Sequence, residues 1–237
     1  MSKKISFIPA NTQVELVVSK PKSAKNYLPN WYKEILPVTY KSLKFDHNGN
    51  VKTNLKNCIP FMDIMTSGYI QESWVDIEIK ENDQKIDYYY GGVSGHDAPI
   101  PMSHRDSSSV PVQQDFYPFE FVWNQVWFPK LPKGYSYLLS HPFNRIDLPF
   151  YTIGGIVDAD KYNASIGGNI PFYIKKGFSG TIPLGTPLYQ IIPFKRDNWK
   201  SVFEKYSENE AKISNYNVRK FFVGGYKKHY WSKKEYN

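Results

Sequence analysis

At 237 residues, with net charge +8, 41% apolar and 22% charged residues, the chain has the composition of a folded basic protein. That excludes disordered and fibrous classes. A single cysteine, Cys58, rules out an intrachain disulfide, and no apolar run approaches the ~20 residues of a membrane span.

The aromatic share of 17%, with 17 prolines and 15 glycines spread throughout, favours strands and turns over long helices. In chain order, ISFI and VELVV predict two short strands split by the turn PANT. Pro29 limits any helix before it, and NWYKEIL predicts about two helical turns with Asn30 as N-cap. FDHNGNV predicts a hairpin at the Asn48-Gly49 pair. CIPFMDIMTSGY predicts a short helix closed by Gly68, with Cys58 as a buried, inert thiol.

WVDIEIK alternates strictly, with Val75, Ile77 and Ile79 on one face, and predicts a half-buried strand. KIDYYYGG is its expected hairpin partner. Residues 91–118 are rich in Gly, Ser, Pro, His and Asp and predict a long loop, functional or mobile. FEFVWNQVWF predicts a strand pair or a bent strand, and about five short strands follow between Gly134 and Arg196. Asp197 is then expected to cap a helix over DNWKSVFEKYSENEAKI, with Trp199, Val202, Phe203 and Tyr206 on one stripe.

These elements predict an all-β protein: a jelly-roll-like or β-clip barrel with one C-terminal helix and short accessory helices. It is expected as a single domain. Residues 1–133 would supply accessory strands and loops, 134–196 the core, and 197–237 the helix and a basic tail.

Three constellations carry candidate chemistry. In GIVDADKY, Asp158 and Asp160 fall two apart, on one face if the strand stays extended, and Tyr162 follows. A carboxylate at a strand end can activate water, and the tyrosine can stack on a base or ribose. The competing reading is a turn in which the aspartates bond backbone amides. In SGHDAPIPMSHRDSSS, His104 and Asp106 have the His-x-Asp form of a non-haem iron site and imply a divalent metal as candidate cofactor. Its third ligand would come from His141 or His229, and a polar surface loop is the alternative. The tail RKFFVGGYKKHYWSKKEYN interleaves cations with aromatics, which suits contact with nucleic acid or packing on its own domain. Tyr88 to Tyr90 and Trp123 to Phe128 suit base stacking or, more cheaply, a packed core.

GGIVDADKYNASIGGNIPFYI resembles a motif of the dUTPase and dCTP deaminase superfamily, a β-clip fold. The resemblance spans about residues 134–196. It implies Asp158 as the water-activating aspartate and Tyr162 as the tyrosine packed on the sugar. It implies Ser140, Arg145 and Gln190, with Asp160, as ligand-binding residues. The Arg-Ser-Gly phosphate triplet of that superfamily is absent, and Lys161 is inserted before Tyr162. LPNWYK, GYSYLLSHPFNR, DLPFYTIGGIVDAD and GTPLYQIIPFKRDNW resemble, over most of the chain, a family of uncharacterised phage and bacterial proteins.

The expected function is that of a non-catalytic phage-type binding or assembly protein, a homo-oligomer with virion proteins or a nucleotide as partners. A nucleotide hydrolase and a metal-dependent oxygenase are the alternatives. The segment Met1 to Pro9 is too short and polar for a signal peptide, so host cytoplasm or a virion is the expected location.

Overall fold

The computed structural model describes residues 3–82, 85–93, 97–101, 114–117, 121–161, 168–221 and 223–237. They divide into two units. One comprises Met1–Ala24 and Gly68–Arg196, the other Lys25–Ser67 and Asp197–Asn237.

The first unit holds thirteen strands among its described residues. In chain order these are β1 (Ser6–Pro9), β2 (Lys22–Ser23), β3 (Tyr69–Glu72), β4 (Ile77–Asn82), β5 (Lys85–Tyr89), β6 (Phe121–Gln125) and β7 (Trp127–Lys130). After them come β8 (Tyr135–Ser140), β9 (Phe150–Thr152), β10 (Gly155–Val157), β11 (Gly168–Ile174), β12 (Gly180–Ile182) and β13 (Pro187–Lys195). All pairings are antiparallel. The largest sheet runs β10-β8-β13-β3-β2; two three-stranded sheets run β6-β11-β9 and β12-β4-β5, and β1 pairs with β7. The fold is all-β in character, as the aromatic and turn-rich composition predicts.

The core explains why so many rings are needed. Trp123 and Phe172 are fully buried and stack 3.5 Å apart with an interplanar angle of 2°. Phe150 meets Trp123 edge-on at 5.0 Å. The indole N–H is not orphaned: Trp123 Nε1 donates to Thr152 Oγ1 (3.0 Å), and that hydroxyl donates to the Leu188 carbonyl (2.7 Å). Buried aromatics thus tie β6, β9 and β11 to β13 through apolar area and one polar relay. The aromatic run at Trp123 to Phe128 is core, not an exposed stacking platform.

The second half of WVDIEIK forms the start of β4, which pairs with β5, with Ile77 and Ile79 fully buried, while Trp74, Val75 and Asp76 precede the strand. Gly68 closes α3 (Ile59–Thr66, in the second unit) at φ +73°. A Cβ there would lie 2.0 Å from the Ile191 carbonyl oxygen, so this close approach to β13 admits only glycine.

Several expectations are corrected. VELVV is not a strand: residues Thr12–Val17 form helix α1, because Asn11 sits at the N-cap and its side chain accepts the Val14 N–H at 2.8 Å. The short helix α2 (Asn30–Glu34) has Pro29, not Asn30, at its cap position. Cys58 is exposed rather than buried, since it precedes α3 and its apolar neighbours do not enclose it.

In the second unit, the helix expected from Asp197 begins eleven residues later. Helix α4 (Glu208–Arg219) is capped by Ser207, and residues 197–207 carry no regular structure. The Asn-Gly turn is present: Phe45 bridges to Val51, Gly49 has φ +74°, and its N–H bonds the Asp46 carbonyl at 3.1 Å. After α4 comes α5 (Gly225–His229). Trp231 Nε1 and Lys234 Nζ both donate to the Asp63 carboxylate of α3, at 2.8 and 2.7 Å. Lys227 and Lys228 lie over Trp231 and Phe221. The tail's cations and rings therefore engage one another and their own unit.

Candidate functional site

The five residues that resemblance groups into one site, among those described, fall into two clusters at opposite ends of β8. Strand β8 carries Ser136 near its start and Ser140 at its end, both on one face. Four residues of strand place them about 13 Å apart.

At the Ser136 end, β10 delivers the chain to Asp158 and Asp160, and the end of β13 delivers Arg196. Asp160 accepts the Gly134 backbone N–H at 2.7 Å and two guanidinium bonds from Arg196, Nη1 at 2.8 Å and Nη2 at 2.5 Å. Asp158 accepts the Ser136 hydroxyl at 2.6 Å and lies 3.0 Å from Arg196 Nη1. Arg196 also donates to Ser136 Oγ and to the Tyr135 carbonyl. The Asp160 side chain is 4% exposed and that of Asp158 50%. The Lys161 N–H bonds the Asp158 carbonyl, closing the turn.

The electrostatics follow from these contacts. The Arg196 hydrogen bonds, helped by the Gly134 amide, hold the Asp160 carboxyl far below the usual carboxylate range. The Ser136 hydroxyl and then Arg196 lower that of Asp158. Both stay ionised at neutral pH; both Asp160 oxygens are bonded to neighbours, whereas in Asp158 Ser136 and Arg196 both engage Oδ1 and the side chain is half exposed. Of the two aspartates only Asp160 bonds a backbone amide; Asp158 takes a side-chain hydroxyl, and both meet Arg196, a partner the sequence did not single out.

At the other end, β13 pairs with β8 so that Gln190 stands opposite Ser140. Gln190 Oε1 accepts the Phe143 N–H at 3.0 Å and so fixes the loop after β8. Arg145 in that loop forms a bidentate pair with Asp147, Nε to Oδ1 at 2.9 Å and Nη2 to Oδ2 at 2.7 Å. Ser140, Gln190 and Arg145 thus gather at this end of β8, and Asp158 and Asp160 are not among them. Tyr162, His104 and Asp106 lie outside the described residues.

Sequence reasoning missed the ring system beside Ser140. His141 stacks on Tyr151 at 5.0 Å. Its Nδ1 accepts the Thr152 N–H (3.3 Å), so the proton sits on Nε2, which donates to the Arg145 carbonyl (3.0 Å). Burial pushes its pKa below the ordinary 6.5, keeping the ring neutral. Both nitrogens of His141 being committed, it is not poised as a metal ligand. Among the described residues, no three His, Cys, Asp or Glu side chains gather closely enough to hold a metal ion. No helix of the described residues is long and apolar enough to cross a membrane.

No protein-family model and no curated protein matches this chain.

Proposed function

We propose that this chain is a non-catalytic binding and assembly protein that associates with further copies of itself through residues 197–206. The observation that carries this reading is the stripe of Trp199, Val202, Phe203 and Tyr206. These side chains are 92%, 69%, 99% and 82% exposed, on a segment without regular structure. Their spacing is i, i+3, i+4, i+7, the pattern of one helix face. Leaving four large apolar groups in water forgoes burial worth ~25 cal/mol per Å². A surface that keeps them exposed in one copy is suited to burying them between copies.

The charges on this segment support a second copy as the occupant. Asp197 and Glu204 balance Lys200 and Lys205, so the segment is locally neutral within a chain of net charge +8. Mixed signs permit self-complementary pairing, whereas a nucleic acid would be met by excess cations. The hydrolase alternative draws less support. Asp158, its general base, is held by Ser136 and Arg196. The resemblance to phage proteins would set such an assembly in a virion.

Light scattering of the purified chain over 1–100 μM (about) tests the reading. Self-association should give a mass above the 27.6 kDa of one chain, and Trp199→Ser with Phe203→Glu should return the monomer. A monomer throughout, or an oligomer indifferent to both substitutions, removes the proposal. Turnover of any deoxynucleotide, abolished by Asp158→Asn, would install the hydrolase instead.

A further inference from the structure

The loop after β8 borders a half-open cavity of about 320 Å³ that no part of the assembly reading uses. Its walls combine rings with cations: Phe116, His141 and Tyr151 on one hand, Arg145 and Lys175 on the other, with Ser140 also lining it. We propose that this cavity binds a small aromatic monocarboxylate, its ring against Tyr151 and its carboxylate on Lys175.

The charge balance sets the class. Arg145 is answered by Asp147, so two cations against one carboxylate leave a single net positive charge. That suits a monoanion. A nucleoside triphosphate, with several negative charges, would enter a low-dielectric cleft largely uncompensated. Among the described residues Lys175 Nζ donates to the Ile146 carbonyl at 2.7 Å, and an ammonium has three donors. A charge-assisted bond to an incoming carboxylate is its natural complement.

The walls set the rest of the ligand. Tyr151 is 43% exposed although stacked on His141 and tilted against Phe116 at 6.2 Å, so a ring face remains open. A flat ring covering it gains apolar area and an offset stack. The size falls at the lower end of small-ligand pockets, enough for one substituted ring. His141 cannot act as base on such a ligand, because both its nitrogens bond the backbone. The site binds without reacting.

Two features mark the pocket as built. Ser140 Oγ is buried and finds no hydrogen-bond partner among the described residues, whereas buried hydroxyls are nearly always paired. Asn144, on the rim, holds φ at +61°, the left-handed region that asparagine tolerates better than most residues with a Cβ, and so turns the loop over the cavity. The Gln190 bond to Phe143 N holds the adjoining residue in place.

Calorimetric titration of the full chain with 4-hydroxybenzoate and phenylacetate tests this. One site per chain is expected for at least one of them, with none for benzyl alcohol, which has the ring and no charge. Lys175→Met and Tyr151→Ala, each checked by circular dichroism, should weaken binding at least about tenfold. If Tyr151→Ala does not fold, Tyr151→Leu replaces it. The proposal is overturned if neither carboxylate binds at millimolar concentration. It is equally overturned if inorganic phosphate or dUMP binds in their place, or if folded Lys175→Met binds them unchanged. These outcomes are independent of the oligomeric state.

Discussion

The carboxylate of Asp160 and the guanidinium of Arg196 meet fork to fork, with two nearly parallel bonds of 2.8 and 2.5 Å. They join the turn after β10 to the residue immediately after β13, 36 positions apart in sequence. The planar match is one that lysine does not reproduce. Arg196→Lys should therefore lower the thermal midpoint nearly as much as Arg196→Met does. Equal stability of the lysine variant and the parent in differential scanning calorimetry would show that only charge, not the fork, matters.

Acid stability follows from the same pair. Asp160 has its pKa depressed on folding from an ordinary 3.8. A depressed carboxylate contributes stability in full above the unfolded value and loses it as pH falls toward the folded one. The contribution should hold from pH 7 to about 5 and decline below about 4. Asp160→Asn should be less stable than the parent at pH 7 and should close the gap on acidification. Urea melts at pH 7, 4 and 2.5 read this directly; a constant gap would contradict the assignment.

The buried indole predicts the largest single loss. Trp123→Ala removes a stacked ring and strands the Thr152 relay, and should cost about 3–5 kcal/mol by denaturant melts. Trp123→Phe keeps the ring against Phe172 but deletes the donor to Thr152, so its cost should be smaller.

Gly68→Ala is expected to cost more than about 2 kcal/mol although it adds one methyl. The backbone conformation at φ +73° already disfavours alanine, and the Cβ would collide with the Ile191 carbonyl. A melt within 0.5 kcal/mol (about) of the parent would mean that β13 yields at this point.

Elements whose pattern is local were readable. The alternation of WVDIEIK gave β4 because period two admits no helical alternative, and Asn48-Gly49 gave the turn because glycine supplies the positive φ. VELVV misled because a β-branched run favours strands, while the deciding group, the Asn11 cap, lies before it. The stripe from Trp199 to Tyr206 has helical period, yet a helix this short needs a face to pack on, and α4 starts only at Glu208. The site was half legible. Asp158 and Asp160 announced a turn or a pocket, but Arg196 completes the cluster from a distant strand end, where nothing local marks it. The cavity beside Ser140 was reached only in part, since Lys175 and Tyr151 arrive from β11's end and β9.

Strand β8 has a consequence for how the protein can change. Ser136 serves the clamp that closes the turn after β10, and Ser140 lines the cavity, about 13 Å away along the same strand. Sites so spaced, without shared partners, vary almost additively. Ligand preference at one end can drift through the loop residues while the other end goes on keeping the chain folded, so specificity and robustness are inherited separately along a single strand.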